Sequence, residues 1–334
     1  MPERTLTFAA AIAEALDGIL SEDPSVVLIG ARFVGLTPSA AVMEPLTTKY
    51  ADRIVWPPVA ELASCGIAIG AAMVGLRPIV DLSTATFSYE AIPQIVNEAP
   101  IIHANSGGRV SVPVTFHMLY GIRGAGAAQH SGSPQGWYWQ VPGLQVAMPG
   151  SPADVKGLLR WAALRSRNPT VFLDHPRLMQ IEGPVPEGAY EIPFGQAEVK
   201  RVGEDVTIVA TSIQVPRALD AAELLARDGV SVEVVDPRTL EPLDRATILA
   251  SVRKTKRAVV TDEGPDRGGV ASGLAAIIAE ECHEDLAAPV RRVAVTTVPV
   301  PYAESLEREL VPSALRIVDA VRSIVRDGIA APRS

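Results

Sequence analysis

Short unbroken apolar runs alternate along the chain with longer stretches whose apolar positions recur at helical spacing. Phe8, Ile12, Ala15 and Ile19 predict a helix over Thr7–Leu20, with Thr5 or Thr7 as its N-cap. Ser25–Gly30, Arg53–Trp56, Arg77–Ser83, Val112–His117, Gln145–Met148 and Thr170–Asp174 predict strands. Helices are expected over Ser39–Tyr50 and Phe87–Ala104, and another opens at Ser151-Pro152, an N-cap followed by Pro at the first helical position. Gly183–Gly188, rich in Pro and Gly, punctuates the chain. A second series follows, with strands Val206–Ala210, Val230–Val235, Ala258–Thr261 and Arg292–Val295. Its helices start near Val215, Arg245, Gly269 and Pro312. Strand alternating with helix implies parallel sheets covered on both faces. The expected fold is α/β: two doubly wound domains with mainly parallel sheets, residues 1–185 and 204–334, joined by a linker at 186–203.

Ala60–Gly75 is set apart by its small, nearly uncharged residues. A helix apolar all round belongs in an interior or an interface. Gly66 and Gly70 share one face and would let another backbone come close. Glu61 is the one carboxylate there, placed just after Pro57-Pro58. It reads either as a first-turn Glu complementing the helix dipole in solvent, or as a desolvated carboxyl able to hold a proton in a dry site.

The 334 residues exceed a typical single core, in line with two domains. The net charge of −8 comes without any basic block, which argues against nucleic acid or an anionic membrane as partner. Aromatics make up only 5% against 48% hydrophobic residues, so Ala, Val, Leu and Ile build the core, as suits buried parallel strands. Cys65 and Cys282 both lie in helical contexts and are expected to be free thiols. Met1–Thr5 shows no charged-then-apolar signal pattern and no run reaches membrane-spanning length, so a soluble cytoplasmic chain is expected. Cys-x-x-Cys, His-Glu-x-x-His and Walker patterns do not occur. Gly121–Gly126 is glycine-rich but makes a weak dinucleotide fingerprint, since it does not plainly open a helix.

An ordered set of motifs spans nearly the whole chain. Pro58–Glu61 precedes Gly66–Met73 and Gly75–Pro78; Phe87 comes with Gln94–Asn97, then Ser106–Gly108, Ala127–Ser131, Pro142–Leu144 and Val171–Leu173. Asp236–Leu240, Gly268-Gly269 and Val298–Tyr302 continue the series. Together these resemble the β-subunits of thiamine-diphosphate-dependent 2-oxo acid dehydrogenases of the pyruvate, branched-chain and acetoin type. The resemblance implies a pyrimidine-binding domain followed by a transketolase C-terminal-like domain. It implies an α-subunit in a heterotetramer of two α and two β. That subunit would carry Mg²⁺ and the diphosphate in a Gly-Asp-Gly motif, which is absent here. A lipoyl acyltransferase core is a further implied partner, and a 2-oxo acid the substrate.

The resemblance also assigns roles. Glu61 matches the catalytic glutamate that hydrogen-bonds N1′ of the aminopyrimidine, and Phe87 the aromatic packed on that ring. Leu62 and Ser83 would line the same pocket. His130, in Ala-Ala-Gln-His-Ser, would face the thiazolium side and give a proton during acyl transfer. Val114, Ala162 and Asn168 fall near positions where some relatives bind K⁺ through backbone carbonyls. His117 and Tyr120 could line the entrance or lie in the core. Three departures sit near the expected site: Gly30-Ala31-Arg32 lacks the usual acid, Trp56 replaces a common Asp, and Met118-Leu119-Tyr120 replaces a more polar run. Alternatives are a split transketolase-like carboligase or acetoin-type enzyme with the same coenzyme and another acceptor, and a non-catalytic assembly subunit.

Overall fold

The computed structural model describes residues 3–35 and 38–325. The chain divides into two compact units. One holds the chain to Arg123, Gln129–Phe194 and Leu240–Pro242; the other holds Gly124–Ala128, Gly195–Thr239 and the chain from Leu243.

The first unit is built on a seven-stranded sheet ordered β12-β6-β7-β5-β4-β2-β3. Its strands are β2 (Val26–Ile29), β3 (Ile54–Val55), β4 (Arg77–Thr84), β5 (Thr115–Leu119), β6 (Gln145–Ala147), β7 (Thr170–Asp174) and, at one border, β12 (Thr239–Glu241). From β6 to β3 every pairing is parallel. β1 (Glu3–Thr7) and β8 (Glu182–Pro186) form a separate antiparallel pair. β5 and β7 are buried at every position, as a sheet covered on both faces requires. The helix α1 (Phe8–Glu22) starts where its N-cap places it, with Thr7 accepting from the Ala10 N–H at 3.1 Å. Phe8, Ile12, Ala15 and Ile19 are all fully buried. α7 (Pro152–Leu164) packs on α1 and is capped by Ser151, which accepts from Asp154 N.

Prolines account for two departures from regular helix. Ser39–Tyr50 forms a 3₁₀ turn over Pro38–Met43 before α2 (Glu44–Lys49), whose second residue is Pro45. Phe87–Ala104 splits into a 3₁₀ turn (Ala85–Ala91), a π-type turn (Pro93–Glu98) and α4 (Ala99–Asn105). Pro93 and Pro100 each lack the N–H that a continuous helix needs. α5 (Ala127–His130) and α6 (Gln135–Trp139) are short turns with no periodicity to betray them.

The second unit has a five-stranded sheet ordered β14-β13-β10-β11-β9. Its strands are β9 (Glu198–Arg201), β10 (Val206–Ala210), β11 (Val232–Asp236), β13 (Ala258–Pro265) and β14 (Arg291–Val295). β9, inside the segment read as a linker, is the one antiparallel member. α8 (Gln214–Arg227), α9 (Arg245–Thr255), α10 (Val270–Glu281), α11 (Glu304–Leu310) and α12 (Ala314–Val325) complete it. Val206, Ile208, Val232, Val234 and Val259 meet α8 and α12 in its core. Among the described residues no helix is long and apolar enough to cross a membrane. Cys65 and Cys282 are free and buried.

Candidate active site

The chain order leaves β2 towards β3 on one side and returns through β4 on the other. Loops that leave adjacent parallel strands in opposite directions open a crevice beyond their carboxyl ends, where ligands of α/β sheets bind. A cavity of about 430 Å³ lies there. Gly30, Ala31 and Arg32 follow β2; Asp81, Leu82, Ser83 and Thr84 end β4; Trp56–Glu61 and Ser64, with Phe87, Arg123 and His130, close the rest.

Glu61 opens α3 (Glu61–Met73) and stands on the cavity wall, half-buried. Its carboxyl makes no hydrogen bond or ion pair among the described residues. Ser64 shares its face. Leu62, expected beside it, does not line the cavity and is 46% exposed. Successive helical residues turn by about 100°, so i and i+3, not i and i+1, share a face. α3 is not covered all round. Ser64, Cys65, Ala68, Ile69 and Ala72 are buried, while Leu62, Ile67 (61% exposed) and Met73 are open. A Cβ at Gly70 would meet nothing within 4 Å, so the expected close backbone approach is not made among the described residues. Burial, and then the Glu61 charge, push the Cys65 thiol up to about 12.

Phe87 and His130 meet edge to face, ring centroids 5.4 Å apart at 84°. Their approach is set by Thr86, whose hydroxyl donates to the Gln129 carbonyl. Ser83 holds φ at 55°, a strained value for a residue with a Cβ. Its N–H donates to Asp81 Oδ1 at 2.8 Å, and the Arg32 N–H donates to Asp81 Oδ2. Asp81 therefore ties the loop after β2 to the end of β4. It supplies from β4 a carboxylate that Gly30-Ala31-Arg32 lacks. Burial raises its pKa, opposed by His117. Sequence reasoning missed Asp81, because an acid inside a strand pattern carries no motif. It also missed Arg123, half-buried on the cavity wall, whose pKa burial lowers.

His117 and Tyr120 do not line an entrance; both are fully buried. His117 Nε2 lies 2.7 Å from Asp174 Oδ2, with neither side chain exposed. Met118 and Leu119 are likewise core residues at the end of β5, so that departure does not touch the cavity, whereas Ala31 and Trp56 do. For K⁺, the Val114 carbonyl accepts from Thr170 N and the Asn168 carbonyl from Ser166 Oγ, both at 2.9 Å. Arg77 donates to the carbonyls of Ala163 and Ser166 at the same helix end. The Val114 and Asn168 carbonyls thus each accept a hydrogen bond within the fold, and each keeps a second lone pair. Among the described residues no cluster of His, Cys, Asp or Glu suits a metal.

Fold and cavity together define a transketolase-like chain of two α/β domains. The transketolase pyrimidine-binding domain matches residues 4–180 and the transketolase C-terminal domain residues 195–317. The chain is 39% identical to the acetoin:2,6-dichlorophenolindophenol oxidoreductase subunit beta of Cupriavidus necator, over 97% of this chain and 99% of that one. It is 41% identical to the mitochondrial pyruvate dehydrogenase E1 component subunit beta-2 of Oryza sativa subsp. japonica, over 96% and 86%. With the pyruvate dehydrogenase E1 component subunit beta of Rickettsia felis the identity is 38%, over 96% and 98%. Among solved structures, a split-gene transketolase described as an inactive beta4 tetramer superimposes with a TM-score of 0.77 at 25% identity, covering 96% of this chain and 98% of that one. The chain belongs to the transketolase-like family of pyruvate and acetoin dehydrogenase E1 β-subunits.

Proposed function

We propose that the chain is the β-subunit of a thiamine-diphosphate-dependent 2-oxo acid dehydrogenase, active with an α-subunit as two α and two β. The observation that carries this reading is the unpartnered Glu61 carboxyl on the wall of a cavity that also presents Phe87 and His130. The cavity's volume suits a substituted heteroaromatic ring, and a carboxyl without a partner fits a ring nitrogen. When bound, thiamine diphosphate supplies the electron sink for cleaving the bond to the departing carboxylate. Glu61 would hold a proton against N1′ of the aminopyrimidine. Phe87 would pack on that ring, and Ser83, fixed by Asp81, shapes the cavity wall. His130 would be placed to give a proton to the sulfur released when a lipoyl dithiolane opens on taking the acyl group. Mg²⁺ and the diphosphate belong to the α-subunit. The open side of α3, which carries Leu62, Ile67 and Met73, is the apolar surface that a partner chain would cover.

The test is reduction of an artificial electron acceptor by the co-purified α–β pair with a panel of 2-oxo acids. Glu61→Ala should lower turnover by about 10²–10⁴ and abolish the coenzyme-dependent circular dichroism. Full activity in that variant, or no turnover with any 2-oxo acid, overturns the reading. Acetoin stands in the same panel, because the Cupriavidus relative bears its name. Consumption of acetoin alone would favour the acetoin-type alternative.

A further inference from the structure

Two arginines line the cavity, Arg32 and Arg123, and the proposed chemistry uses neither guanidinium; Arg32 is exposed, whereas Arg123 is half-buried and held by hydrogen bonds. A guanidinium carries five N–H donors. One Nη1 donor goes to Thr84 Oγ1 at 3.3 Å and one Nη2 donor to the Leu119 carbonyl at 3.0 Å. Nε is buried with no acceptor among the described residues. That leaves one N–H on each terminal nitrogen. No carboxylate among the described residues pairs with it: Asp81 is engaged by Arg32 N and Ser83 N, and Glu61 has no ion pair. Both hydrogen bonds fix the guanidinium to the ends of β4 and β5, so it is held before any ligand arrives. A preorganised, half-buried cation in a cavity selects an anion, and the two remaining terminal donors match the two oxygens of a carboxylate.

The carboxylate that leaves as CO₂ is a poor candidate for this contact. It enters charged and departs neutral, its bonding electrons remaining with the carbon it quits. A cation fixed on it would stabilise the ground state more than the transition state and slow the step. A second, non-reacting carboxylate has no such conflict, and its binding positions the reacting end. Resting on the reading of the site given above, we propose that Arg123 recognises a distal carboxylate, and that the substrate is a 2-oxo dicarboxylic acid rather than one with an apolar tail.

The test uses the co-purified α–β holoenzyme with 2-oxoglutarate and the uncharged-tail 2-oxopentanoate. The wild type is expected to favour 2-oxoglutarate in kcat/KM by at least about tenfold. Arg123→Gln should collapse that ratio by about 10–100-fold, mainly through KM, because a site built to pair a charge is left unpaired. Arg123→Lys should restore part of it. A wild-type preference for 2-oxopentanoate overturns the proposal, as does an equal fall for both substrates. So does a loss confined to coenzyme affinity, which would make Arg123 a coenzyme ligand. If no 2-oxo acid of the panel is turned over, the dehydrogenase reading fails, and calorimetric binding of 2-oxoglutarate still decides on Arg123. Binding that disappears in Arg123→Gln upholds its role, and no binding refutes it.

Discussion

His117→Phe should be among the costliest single changes in the first unit. His117 and Asp174 are both fully buried, joined at 2.7 Å, and Asp174 Oδ1 already has no partner among the described residues. Phe33 meets the imidazole edge-on at 5.0 Å and Phe172 stacks on it at 6.0 Å, so the pair sits in an aromatic shell. Phe fills the ring's volume and keeps those contacts, which holds the cavity contribution small. What remains is a buried carboxyl stripped of its donor, a loss of about 3–5 kcal/mol. At about 2–4 °C per kcal/mol for a unit of this size, Tm should fall by about 6–20 °C. The pH dependence has a defined sign. Burial raises the Asp174 pKa above 3.8, with the His117 hydrogen bond opposing it. A carboxyl raised in the folded state binds its proton more tightly there. Stability is therefore gained as pH falls through the folded pKa towards the unfolded value, and lost as pH rises. His117→Phe removes the opposing contact, so its deficit should be largest near neutrality and narrow on acidification. Urea unfolding followed by circular dichroism, with His117→Phe, Asp174→Leu and the double variant, measures this. A cost below about 1 kcal/mol for His117→Phe, or a double variant equal to the sum of the singles, would refute the reasoning.

Four further outcomes are expected. Cys65, its thiol pushed up to about 12, should not react with a thiol reagent at pH 8 until the chain is unfolded. Gly203→Ala would set a Cβ 2.1 Å from the Val232 carbonyl carbon, backbone that cannot turn aside. Unfolding should show a loss of more than about 2 kcal/mol. Ser83→Gly relieves a φ of 55° and should raise Tm, a gain of about 1 kcal/mol. Ile67→Asp, on the open side of α3, should leave the chain's own unfolding within about 0.5 kcal/mol of wild type and abolish co-purification with an α-subunit.

The regular elements were legible because burial and period coincide. Thr7, Ser151 and the runs at 26–29 and 170–174 state their structure locally. Pro93 and Pro100 were equally visible, yet an apolar period running through them suggested one helix where the chain makes three turns of different pitch. At the site, Glu61, Ser83, Phe87 and His130 were found through motifs, and the structure brings all four to one cavity. Leu62 lies outside that cavity, because adjacency in a helix is not adjacency on a face. Asp81 and Arg123 escaped because what matters is which strand ends meet, and sheet order is not written in either residue's neighbourhood. His117 and Tyr120 were ambiguous for the same reason: only pairing across β5 and β7 decides which faces are enclosed.

The half-clothed α3 also bears on assembly. Leu62, Ile67 and Met73 form an apolar side of the helix that the chain's own fold leaves in solvent. If an α-subunit docks there as proposed, the helix that begins with Glu61 would be finished by a second chain, and association would be driven by the same withdrawal of apolar surface from water that builds the core.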